Sequence, residues 1–66
     1  MSIKERIEER VKELRKTCAD QTVEELYGQA RNHHLWAMGC RTNEEATEHE
    51  ITADAFRILA REKQRR

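Results

Sequence analysis

The chain has 66 residues, with 13 Lys/Arg against 13 Asp/Glu, 2 Gly and no Pro. That length excludes a doubly wound nucleotide-binding fold and leaves room for one domain, residues 1–66. With 39% charged and 36% apolar residues there is no material for a large core. The longest uncharged apolar-rich run, Leu35 to Cys40, falls far short of the ~20 residues that span a bilayer.

Lys4, Glu5 and Arg6 interrupt any apolar stretch near the start, so no export signal is expected in these residues. The two cysteines, Cys18 and Cys40, form no CxxC pair, whereas a disulfide scaffold of this size carries about four to eight. Both thiols are therefore expected to be reduced, in a cytoplasmic setting, and to act as small half-buried apolar groups.

The first predicted element is a helix over 3–19. Ile3, Ile7, Val11, Leu14 and Cys18 follow one another at helical spacing and form a thin stripe among charged residues. The stripe loses register at Ala19-Asp20-Gln21-Thr22. Thr22-Val23-Glu24-Glu25 then fits a capping box: a Thr hydroxyl for an unpaired N–H, and a Glu three residues on that reaches back. A second helix is predicted over 23–38, with Val23, Leu26, Tyr27, Ala30, Ala37 and Met38 as its apolar positions. Gly39 suits a left-handed helix end because it lacks a Cβ. Thr42-Asn43-Glu44-Glu45 reads as another capping box, opening a third helix over 43–63 and a frayed basic tail over 64–66. The competing reading makes the first two helices continuous, since Cys18, Thr22, Leu26 and Ala30 are also evenly spaced.

These elements predict an all-α fold, a small three-helix up-down-up bundle or a long helical hairpin. A hairpin turning at Cys40–Arg41 sets Leu26 opposite Phe56, Val23 opposite Leu59, Ala30 near Ala53 and His33 opposite His49. The same rule for the first pair of helices matches Leu14 with Tyr27, Val11 with Ala30, Ile7 with His34 and Ile3 with Met38. Ile51, Ala55 and Ile58 make a second apolar edge on the third helix, and Leu35 points away from the main face of the second. A helix apolar on two sides is usually covered on two sides, so a homodimer or another partner is expected there.

Chemistry is sparse. His33, His49 and Cys40 are the candidate metal ligands, and His/Cys mixtures suit zinc. Their spacing lacks the paired C-x2-C or H-x3-H form, so the favoured expectation is two half-buried histidines bonded to carboxylates such as Glu45, with no metal and no cofactor. Catalysis is not expected either: the one Ser is Ser2, and a bundle this small offers no evident pocket or phosphate loop. Trp36 lies at the rim of the apolar face, where a large ring with one N–H often meets a partner, although a ring closing the core edge reads equally well.

Charge is unevenly spread. Residues 1–16 carry +2, residues 17–56 carry −6 and residues 57–66 carry +4. Up-down-up topology gathers Arg15, Lys16, Arg61, Lys63, Arg65 and Arg66 at one end and Glu44, Glu45, Glu48 and Glu50 at the other. A helix-turn-helix docking is excluded, because the first turns of its recognition helix would bring Glu44, Glu45 and Glu48 against phosphates. The expected function is a small non-catalytic protein-binding or regulatory module of adaptor or inhibitor type. It would act as a homodimer through Trp36, Leu35, Ile51 and Ile58. The alternative is a nucleic-acid-associated regulator using the basic end.

Overall fold

A computed structural model describes residues 2–65. Three helices, α1 (Ile3–Thr17), α2 (Val23–Met38) and α3 (Asn43–Gln64), build an all-α bundle with no strand among the described residues. The chain breaks where the stripe loses register, so α1 and α2 are separate helices. Helix α1 stops at Thr17, two residues before the expected end, with the Cys18 N–H closing on the Leu14 carbonyl at 2.8 Å. The predicted tail is mostly ordered: α3 runs to Gln64, and the Arg65 N–H returns to the Arg61 and Glu62 carbonyls. Arg66 lies outside the described residues.

The caps follow the local sequence. Thr22 Oγ1 accepts the Glu25 N–H and Glu25 Oε1 accepts the Thr22 N–H, both at 3.1 Å. Ser2-Ile3-Lys4-Glu5 does the same for α1, a capping box additional to the two expected ones. At α3 only half of the expected box forms: Thr42 Oγ1 accepts the Glu45 N–H at 3.2 Å. Gly39 is not left-handed; its φ is −95°. Helix α2 instead ends by tightening, with N–H groups of Gly39 and Cys40 bonding carbonyls three residues back, Trp36 and Ala37.

Helix α3 is the centre of the bundle. Helices α1 and α2 each pack along it, and their backbones keep apart from one another. Arg10 bonding Thr52 and Glu48, and Arg15 bonding Glu62, mark the side of α3 taken by α1 and show the two helices to be parallel. His33 on His49, His34 on Glu50 and Tyr27 on Gln64 mark the side taken by antiparallel α2. Val11, Leu14, Cys18, Leu26, Ala30, Ala55, Phe56, Leu59 and Ala60 form one core, with Ile7 and Val23 packed against it. Ala53, Ala55 and Ala60 are fully buried, so short side chains let both neighbours approach α3 closely.

This arrangement corrects two expectations. The register between α1 and α2 does not form: Ile3 and Met38 are exposed, and Tyr27 is an exposed side chain whose hydroxyl donates to Gln64 Oε1 at 3.3 Å. Ile51, expected on an open partner surface, is only 2% exposed. The second apolar edge of α3 is covered within the chain because α1 lies on α3 rather than on α2. Ile58 alone of that edge stays partly open, beside Val11 and the stems of Lys12 and Arg15. None of the described helices is long and apolar enough to cross a membrane.

Candidate functional site

Parallel packing of α1 and α3, with α2 reversed, places the start of α1, the end of α2 and the start of α3 at one end of the bundle. Leu35, Trp36 and Met38 come from the last turn of α2 and are 51%, 53% and 74% exposed. Ile3, at the start of α1, is exposed at the same end. Leu35 and Met38 are three apart and share a helix face, with Trp36 about 100° around from Leu35. Burying large apolar groups stabilises by ~1.5–3 kcal/mol each, so a cluster left in water is the feature that asks for an explanation.

Beneath Trp36 lies the polar heart of the α2–α3 contact. The His33 and His49 Nδ1 atoms are 3.0 Å apart, as the hairpin register predicts. The partner differs from the expected carboxylate: imidazole meets imidazole, and Glu45 makes no hydrogen bond to either ring. The His33 ring stacks on Phe56 at 5.7 Å between centroids and receives Trp36 edge-on at 4.9 Å. Trp36 also approaches His49, at 5.8 Å. Trp36 therefore combines both sequence readings, since one side of the ring closes the His33–His49 contact and the other faces water. Burial, then the nearby His49, then Arg10 lower the His33 pKa from its ordinary value of 6.5.

Cys40 does not join the histidines. Its thiol donates to the Trp36 carbonyl at 3.1 Å, while Cys18 is buried in the core and both cysteines are free. Among the described residues no group of three or more His, Cys, Asp or Glu is arranged to hold a metal ion. The candidate ligands His33, His49 and Cys40 are thus a pair of rings and a separate thiol. Ser2, the one serine, is occupied as the α1 cap.

The carboxylates at this end divide into two groups. Glu48 is held by Arg6 and Arg10 of α1, and Glu50 by His34 at 2.8 Å. Glu44 and Glu45 are exposed in the first turn of α3, where negative charge complements the helix dipole. A shallow cleft of about 460 Å³ opens between Arg6, Asn43, Glu44, Thr47 and Glu48. Its lining comes from α1 and the first turns of α3, and none of Leu35, Trp36 and Met38 belongs to it.

The opposite end gathers the basic residues as expected, but two of them serve the fold. Arg15 makes a two-pronged pair with Glu62, which raises the guanidinium pKa still further by hydrogen bonding and charge. Lys63 donates to the Ala19 carbonyl at 2.8 Å and to that of Gln21, stitching the α1–α2 turn onto α3. Lys16, Arg61 and Arg65 are exposed there. Sequence reasoning placed these groups at one end and missed their partners. The sole signal was a parallel α1–α3 alignment, which sets Arg15 level with Glu62 once the turn length is known. No family model, curated protein or solved structure matches the chain.

Proposed function

We propose that this chain is a non-catalytic protein-binding module that acts through the last turn of α2. The observation behind it is the run of Leu35, Trp36 and Met38, three large apolar side chains within four residues, each more than half exposed. Interface anchors have this character, an aromatic ring and flexible apolar chains inside a polar rim. The exposed charges near it carry both signs, Arg31 one turn before Leu35 and Arg41 after Met38 beside Glu44 and Glu45, so the matching surface is apolar with a mixed polar rim. The covered Ile51 no longer requires a second copy of the chain. The reading therefore turns from self-association towards a different protein. Two free thiols fit a reducing compartment such as the cytoplasm.

The nucleic-acid alternative rests on Lys16, Arg61 and Arg65, because Arg15 and Lys63 are engaged inside the chain. Capture from a native lysate by the immobilised protein separates the readings. The Leu35→Ser/Met38→Ser variant should lose its partner while circular dichroism shows helicity unchanged. Capture that survives this change, yet vanishes with nuclease or with Arg61→Ala/Arg65→Ala and falls steeply with salt, would establish the basic-end reading instead. Sedimentation of the free protein as a dimer, made monomeric by the same α2 variant, would return the surface to self-association.

A further inference from the structure

The His33–His49 contact has a limited capacity for protons. A hydrogen bond between two Nδ1 atoms needs one N–H and one lone pair. A neutral pair supplies both when one ring carries its proton on Nδ1 and the other on Nε2. One added proton can go to the free Nε2 of the donor ring and leave the bond in place. A second must take the accepting lone pair, which aims two N–H groups and two positive charges at each other across 3.0 Å.

The surroundings do little to accommodate that second charge. From α1, Arg10 adds a positive group; of its two carboxylate partners, Glu48 is already shared with Arg6 and Glu13 stands 3.8 Å away. From α2, His34 is the neighbouring titratable group and takes up Glu50. From α3, Glu48 and Glu50 flank His49 in sequence and Glu45 lies one turn before it, without bonding either ring of the pair. Phe56 and Trp36 wall in the His33 ring, so water cannot solvate all of it.

We propose that His33 and His49 form a proton-operated latch that holds the C-terminal half of α2 on α3 and releases it when both rings are charged. Trp36 rests against both rings, so release changes the setting of the apolar cluster at the end of α2. That the change regulates partner binding rests on the function proposed above; the latch itself does not. The direction follows from His33, whose proton affinity is lowered in the folded chain. Its contribution to stability is present above pH 6.5, the ordinary value, and is lost as the pH falls through the lower folded value.

Trp36 is the only tryptophan, which gives the free protein a built-in reporter. Titration from about pH 8 to about pH 5 spans the histidine range. The emission of Trp36 should shift on the acid side of 6.5, and amide exchange protection over residues 33–38 should fall through the same transition. Histidine ring nitrogen spectra of the wild type should show the two rings losing their shared bond in that step. His33→Asn and His49→Gln should abolish the transition, and His34→Gln should retain it. Unchanged protection over residues 33–38, or two rings titrating independently, would overturn the latch even if neither histidine variant folds. If the latch responds but captured partner is insensitive to pH, the regulation of binding fails while the latch stands.

Discussion

Helices α1 and α2 cover opposite sides of the same central helix, and they do it with different chemistry. Helix α1 divides cleanly: Ile7, Val11 and Leu14 face inward, while Arg6, Arg10 and Arg15 reach across to α3 carboxylates and Thr52. Helix α2 fills the core with Leu26 and Ala30, but joins α3 at its other half through two histidines and leaves Leu35, Trp36 and Met38 in water. The three arginines of α1 are all engaged in holding it down. The apolar groups of α2 exceed what holding it down requires. Exposed apolar surface is concentrated on α2, whereas on α1 it comes down to Ile3, and that imbalance is what supports reading α2 as the binding element.

The sharpest way to break that comparison is to remove the anchor from each cover in turn. Leu26 is fully buried and Leu14 nearly so, and each truncation to Ala should cost about 2–5 kcal/mol. A lone core of this size supplies only ~3–5 kcal/mol in total, so Leu26→Ala should abolish the cooperative melt seen by circular dichroism. Leu14→Ala should act unequally along the chain. Helix α1 should lose amide protection first, while the α2–α3 hairpin, joined by a short turn, retains part of its own. Equal and simultaneous loss over all three helices would show that α1 is as integral as α2 and that the two covers do not differ in this way.

How much of this was legible beforehand depended on what joins the elements. The α2–α3 register, including His33 on His49, could be read because four residues link the two helices, and a short turn leaves little freedom. The seat of α1 could not be read in the same way. Its stripe is narrow enough to fit either neighbour, and the bonds that decide the matter, such as Arg10 to Thr52, join residues 42 apart through polar groups that carry no periodic signal. Assigning α1 to α2 then forced the misreading of Ile51 and Tyr27. The exposure of Leu35 was legible from its position on the helix. The Ser2-x-x-Glu5 cap was written in the chain as plainly as the Thr22 cap that was recognised.

A middle-sized effect should come from the polar side of α1. Arg10 Nη1 donates to Thr52 Oγ1 at 2.6 Å and Arg10 Nη2 to Glu48 at 3.2 Å, at a partly buried position. Thr52 keeps its own bond to the Glu48 carbonyl, so Arg10→Gln strips an acceptor of one partner rather than stranding a donor. The loss should be about 1–2 kcal/mol by urea unfolding. It should also lighten the positive field on His33, moving the acid transition of Trp36 to higher pH. A stability loss without any movement of that transition would separate the α1 tie from the histidine pair.

The smallest effects compare the same device at the start of each cover. Ser2 and Thr22 both close capping boxes, and loss of such a hydroxyl costs ~0.5–2 kcal/mol depending on what the first turn holds. Fraying the first turn of α1 releases Ile3, which is already exposed, so Ser2→Ala should fall near the bottom of that range, about 0.5 kcal/mol. Fraying the first turn of α2 pulls at Val23, packed on the core, and at Leu26 within it, so Thr22→Ala should cost roughly 1–2 kcal/mol. Melting the two variants side by side gives the difference directly. Equal shifts would mean that both first turns are held by their caps alone, and that the stronger anchoring of α2 begins only at Leu26.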